Sequence, residues 1–211
     1  MNATRSLKKL TLKKLTLKKL MAISAVALAF GAAAPLALAD AVVTHTVNFA
    51  DASSLSTDAS GLTFEVRNRP PREYPHVGYR APFTFEQAAR DWANTHFSLN
   101  GNSVNTLRIT LRDGDITEKL LPVTKGIKGF FTKDQAAEYE GKLELEIAII
   151  DPNGRVLAQA EGKAWHSRTI TEGATEADKQ AVWAEMIKKT FDDLDIELQP
   201  RIRQALAQYV R

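Results

Sequence analysis

The stretch from Tyr139 to Trp165, YEGKLELEIAIIDPNGRVLAQAEGKAW, constrains the fold more than any other part of the chain. Leu143, Leu145, Ile147 and Ile149 alternate with Glu144, Glu146 and Ala148, and Glu140 and Lys142 extend the polar set backwards. A period of two marks a strand with one buried face and one wet face. A slip of one residue would bury Lys142, Glu144 and Glu146 and expose four aliphatic side chains, each stabilising by about 1.5–3 kcal/mol when buried. Only one register is therefore reasonable. Asp151-Pro152-Asn153-Gly154 ends the run with residues suited to a tight turn. The return strand, Arg155 to His166, sets Ala158, Ala160, Gly162 and Ala164 on one face, and a face of small residues makes room for a helix across the sheet. Leu157, Gln159, Glu161, Lys163 and Trp165 form the other face, and the Glu row of the first strand is expected to be solvated.

The N-terminal segment has to be set aside before charge has meaning. Residues 1–20 hold Arg5 and six lysines without an acid, in the repeated pattern LKKLT/LKKLT/LKKLM, and Met21 to Ala39 is apolar and Ala-rich, ending in Ala37-Leu38-Ala39. A basic region, an apolar region and a small-x-small site describe a secretory signal peptide. Cleavage is expected after Ala39, giving an exported, periplasmic product of residues 40–211, read as a single α+β domain. The remainder has 21 basic and 25 acidic residues, a net charge of about −4, so nothing global attracts nucleic acid. The chain has no cysteine, which excludes disulfides, thiolate nucleophiles and Cys-based metal sites. No second apolar run is long enough for a transmembrane helix.

In chain order, Ala41 to Phe49 alternates as a short strand that places His45 on the apolar face, and residues 50–60 are small and polar, as in a loop. Leu62 to Val66 forms the next strand. RNRPPREYPHVGYRAP follows, in which prolines exclude regular structure. Arg67, Arg69, Arg72, Tyr74, Tyr79 and Arg80 make this segment a candidate binding surface for an anionic head group or a protein partner. Thr84 and Gln87 have capping-box spacing, and Phe85, Ala88, Ala89, Trp92, Ala93 and Phe97 give the helix 84–97 an aromatic face. Leu107 to Leu111 alternates as a strand that Asp113-Gly114 ends or bends, with Ile116 to Val123 continuing or pairing with it. The glycines at 126 and 129, with Phe130 and Phe131, mark a second candidate surface, read either as a mobile lip or as a plug before a short helical turn capped by Thr132. Thr175 opens a second helix carrying Trp183, Met186, Ile187, Thr190, Phe191 and Leu194, which Pro200 kinks or restarts before the stretch to residue 210. The expected architecture is α+β: a twisted, mainly antiparallel sheet around the central hairpin, with helices 84–97 and 175–210 packed on it.

No G-x-S-x-G, H-E-x-x-H, P-loop or Rossmann glycine pattern occurs, and DGD at 113–115 lacks the remaining ligands of an EF-hand. Asp192, Asp193 and Asp195 cluster on a helix and read as a solvated acidic face. No catalytic residue, cofactor site or metal site is assigned. FTFEQAARDWANTHF, NTLRITLRD, the hairpin and DDLDIELQPRIRQAL, in that order, resemble the periplasmic auxiliary components of ABC-type intermembrane transport systems. That resemblance implies α+β architecture and a lipoprotein, although this chain has no cysteine to take a lipid. It implies a non-enzymatic envelope protein, an accessory or interaction component of a transport or lipid-handling complex, with an envelope protein as partner. The alternatives are a soluble periplasmic carrier holding an apolar small molecule or lipid between helix 84–97 and the sheet, and, more remotely, an exported hydrolase.

Overall fold

The computed structural model describes residues 47, 49, 54–122 and 134–211. All of them fall within the compact unit Val43–Arg211. The expected signal segment, His45, Phe130 and Phe131 lie outside the described residues.

The hairpin forms with the register its pattern demands. Strand β5 (Gln135–Ile150) and strand β6 (Val156–Thr171) pair antiparallel, with Leu143 opposite Ala164, Leu145 opposite Gly162 and Ile147 opposite Ala160. Leu145, Ile147 and Ile149 are fully buried. The turn is organised by Asp151, whose carboxylate accepts from the N–H groups of Asn153 and Arg155, both at 2.9 Å. These hydrogen bonds, that from the Arg155 N–H foremost, hold the Asp151 carboxyl below its usual pKa.

Strand β4 (Thr106–Leu120) pairs antiparallel with β5 along nearly its whole length. Asp113-Gly114 bends rather than ends it, through a register shift between Leu111 and Asp113. Strand β2 (Gly61–Val66) lies parallel to β4, giving the order β2-β4-β5-β6. A parallel pair needs a crossover, and helix α1 (Phe85–His96) lies in it. Thr84 caps α1 by accepting from the Gln87 N–H at 3.2 Å. The helix ends one residue earlier than its aromatic stripe suggests. Phe97 begins strand β3 (Phe97–Leu99), which pairs in parallel with β1 (Leu55–Thr57) inside the stretch expected to be loop. The cap expected at Thr132, with Gly126 and Gly129, lies outside the described residues, and from Gln135 on the chain is strand.

Helix α2 (Glu176–Ala205) opens with a reciprocal capping box between Thr175 and Asp178. It lies on β5 and β6 over the row of small residues. A Cβ on Gly162 would stand 3.0 Å from the Cβ of Leu198, so any side chain there would push this helix outward by a few tenths of an ångström. Pro200 neither breaks nor restarts α2, which continues to Ala205. Pro200 and Ile196, whose carbonyl loses its i+4 donor, both lie on the exposed side, where water can satisfy that oxygen. Beyond the helix, Leu206 is buried and Arg211 exchanges two backbone hydrogen bonds with Ser56.

The opposite face of the sheet is not simply solvated. Glu146 is 7% exposed, lying 3.4 Å from Arg108 and 3.5 Å from Arg112, while Glu144 faces Arg112 and Lys163. The long arginine stems of β4 lie beside the neighbouring strand and cover its acids.

Candidate functional site

Residues 67–82 leave the end of β2 and cross the bent part of β4. The segment is fastened there by backbone: Val77 N–H donates to Ile116 O, Glu118 N–H to Pro75 O, and Arg67 N–H to Leu111 O, at 2.8–2.9 Å. Its regular structure is a single 3₁₀ turn, Gly78–Arg80. His76 Nδ1 pairs with Asp115 Oδ2, closing the loop onto the strand. Burial pushes the Asp115 carboxyl above its usual pKa, and its hydrogen bond and ion pair with His76 oppose that shift. Asp113, beside it, takes Asn68 at 3.2 Å and Lys142 at 2.8 Å. The hydrogen bond to Asp113 raises the Lys142 pKa.

The four arginines have different roles. Arg69 makes two hydrogen bonds to Glu86, at 3.2 and 3.3 Å, and Arg90 approaches the same carboxylate at 3.0 Å. Arg80 pairs with Glu176 at 2.8 Å and lies over the Trp183 ring, 5.3 Å from its centroid. Arg67 and Arg72 are exposed and have no ion pair or side-chain hydrogen bond among the described residues. Tyr74 is 63% exposed and Tyr79 43%. The structure therefore brings Arg69, Arg72 and Tyr79 to one cleft and leaves Arg67 and Tyr74 on the surface. Arg80 is drawn off to α2.

The cleft has a volume of about 230 Å³. Val66, Pro70, Pro71, Phe85 and Leu111 supply apolar wall, and Arg72, Tyr79 and Asp115 supply polar groups. Gly114 forms part of the lining, where a Cβ would come 2.7 Å from the Cβ of Phe85. A space this size, below the roughly 300–1,000 Å³ of ordinary ligand pockets, holds a head group or one side chain. Its lining carries two guanidiniums, Arg69 and Arg72, and two carboxylates, Glu86 and Asp115; Arg69 is bound to Glu86, and the Arg72 guanidinium and Tyr79 phenol are left to face a ligand beside apolar wall. The His76 ring is held by Asp115 and has no hydroxyl partner among the described residues.

Two polar clusters escaped the sequence reading. Asp195, expected on a solvated acidic face, accepts from Trp92 Nε1 at 2.8 Å and faces His96 Nε2 at 3.0 Å. His96 is 1% exposed and stacks on Trp92, so it is a core residue. His166 lies 3.4 Å from Asp193. All three described histidines thus face an aspartate. Among the described residues, no group of three His, Cys, Asp or Glu side chains is placed to hold a metal ion, and no helix is long and apolar enough to cross a membrane.

No family model matches the chain, and no curated protein matches it. Among solved structures, a minor lipoprotein from Acinetobacter baumannii is similar at 17% identity and a TM-score of 0.36, over 71% of this chain and 93% of that one. A Xanthomonas campestris protein described under the family model DUF330 is similar at 14% identity and a TM-score of 0.30, over 74% of this chain and 90% of that one. Likeness at this level leaves fold and function to be argued from the residues themselves.

Proposed function

We propose that this chain is a non-enzymatic, exported envelope protein that acts as an interaction component of a transport or lipid-handling complex, with the 67–80 segment as its contact surface. One observation carries the reading. The segment is held to a rigid strand by three backbone hydrogen bonds and the His76–Asp115 pair, yet turns Arg67, Arg72, Tyr74 and Tyr79 outward. Exposed arginine and tyrosine on a pre-organised backbone suit recognition, because binding costs little further ordering. The export pattern of residues 1–39 supports the location.

A carrier with its ligand between α1 and the sheet is less well supported. Phe85, Trp92 and Phe97 fill that space, with Trp92 5.8 Å from Phe97 and 6.4 Å from Phe191 between ring centroids. Photo-cross-linking residues placed at Tyr74 and Tyr79 in the native envelope test the proposal, with exposed Val104 as control position. A membrane transport protein should be captured from positions 74 and 79 and not from 104. Capture of the same proteins from all three positions, or of none, rejects this surface.

A further inference from the structure

Among the cations near the cleft, Arg69 and Arg90 share Glu86, Lys142 is taken by Asp113, and His76 by Asp115. Arg72 is the cleft-lining cation left without a partner among the described residues, and the hydroxyl of Tyr79, which lines the same cleft, is equally without one. Of the two lining acids, Glu86 is taken by Arg69 and Arg90 and Asp115 by His76, so neither carboxylate is left without a partner. The segment 67–82 contains four arginines against one acid, Glu73. The rest of the expected exported product is acidic overall, so among the described residues this segment is a local concentration of positive charge that favours a negatively charged ligand.

We infer that the cleft seats the phosphate of an anionic phospholipid head group, held by the Arg72 guanidinium and the Tyr79 hydroxyl, while Arg67 and Tyr74 rest on the same lipid surface. Guanidinium and phenol donors suit phosphate oxygens, and the apolar walls accept the glycerol carbons. About 230 Å³ is too little for acyl chains, which stay in the bilayer. A free phosphate ester would use the cleft but leave Arg67 and the exposed Tyr74 ring without a role, whereas an interface engages both. This rests on the reading of the segment as a contact surface and adds its chemical target.

The test uses residues 40–211, which contain the whole compact unit, so that the lysines of residues 1–20 contribute nothing. Co-sedimentation is measured with vesicles of mixed phosphatidylglycerol and phosphatidylcholine, and of phosphatidylcholine alone. Binding to the mixed vesicles only is expected, weakening as salt rises. Arg72→Gln should lower partition about fivefold and Arg67→Gln with Arg72→Gln about twenty-fivefold, the factors expected when one or two basic side chains leave an anionic surface. Both residues are exposed, so thermal melts should be unchanged. Equal binding to both vesicle types, no binding to either, or unchanged binding by Arg72→Gln overturns the inference. Binding of sn-glycerol 3-phosphate in solution without vesicle binding overturns the lipid assignment. Cross-links to a transport protein at Tyr74 that survive Arg72→Gln, with no vesicle binding, reject the phosphate seat and leave the proposed function standing.

Discussion

Gly114→Ala is the sharpest perturbation of the cleft. Gly114 follows the bend in β4 and lies beneath the first turn of α1. A Cβ there would meet the Cβ of Phe85 at 2.7 Å, with Phe85 Cγ and Leu111 Cδ1 each at 3.2 Å. Carbon atoms rest at about 3.5–4.0 Å, so the first contact is short by nearly 1 Å. Phe85 is 3% exposed, and its Cβ moves only with the helix backbone, so relief requires shifting the start of α1 or flattening the bend. Overpacking of this kind costs about 1–3 kcal/mol, and the lost freedom of the unfolded chain returns about 0.4–1 kcal/mol. Because the 2.7 Å contact is fixed to the helix backbone, the cost should fall in the upper part of that range, about 2–3 kcal/mol, and the net loss of about 1–2.5 kcal/mol should lower Tm by roughly 2–10 °C for a chain of this size. Gly61→Ala is the control, because nothing lies within 4 Å of a Cβ at Gly61, and it should be neutral or slightly stabilising. Urea unfolding followed by tryptophan fluorescence reads both. A Gly114→Ala protein as stable as wild type, beside a well-behaved Gly61→Ala, would show that the start of α1 is not clamped on β4. Phe85→Ala keeps its Cβ, so it should not rescue Gly114→Ala; rescue would mean that the ring, not the helix backbone, makes the close contact.

Leu145→Glu places an unpaired charge at a fully buried position and should cost about 4 kcal/mol or more, whereas Glu144→Gln, at partly exposed ion pairs, should change stability by less than about 1 kcal/mol. Equal Tm shifts would reverse the assignment of the sheet faces. Asp195→Ala removes the acceptor of Trp92 Nε1 and the partner of His96 Nε2, and should destabilise by about 1–3 kcal/mol in urea unfolding; a silent change would mean that water replaces the carboxylate. Hydrogen bonds from the Thr175 hydroxyl and N–H hold the Asp178 carboxyl below the ordinary aspartate value of 3.8. The cap therefore stabilises the fold above that pH, and its contribution is lost as pH falls from the unfolded value through the lowered native one. Asp178→Asn should flatten the stability curve below pH 3.8 in thermal melts; an unchanged slope would exclude the cap as its source.

The hairpin, both caps and the aromatic stripe of α1 are legible because each is set by residues close in sequence. Period and capping chemistry act over a few positions, and the sheet had little freedom once Leu143 to Ile149 was assigned its face. What depends on distant partners was not legible. Leu55–Thr57 looks like part of a polar loop because three residues carry no period, and it becomes strand only through Phe97–Leu99 and Arg211. Glu146 alternates as a solvated residue and is buried because Arg108 and Arg112 come from the neighbouring strand. Asp195 did leave a signal: it lies four residues after Phe191 and next to Leu194, on the buried side of α2, unlike Asp192. Trp92 and His96 have the same spacing on α1, so helical phase could have singled out both partners.

The candidate site shows the same division between local chemistry and distant contact. Arg67, Arg69, Arg72 and Arg80 are equivalent in sequence, and replacing all four is the natural test of a positive loop. The structure makes that test ambiguous, because Arg69 ties the loop to α1 through Glu86 and Arg80 ties it to α2 through Glu176 and Trp183. Arg80→Ala removes an exposed ion pair and a cation–π contact and should cost about 0.5–1.5 kcal/mol, while Arg72→Ala should cost less than about 0.5 kcal/mol. Loss of capture in the fourfold variant could then come from a displaced loop. The informative pair is Arg67→Ala with Arg72→Ala against Arg69→Ala with Arg80→Ala, each measured for Tm and for cross-linking at Tyr74. If the first pair lowers capture at unchanged Tm, the free guanidiniums make the contact; if only the second does, and in proportion to lost stability, the loop's position matters and its free charge does not.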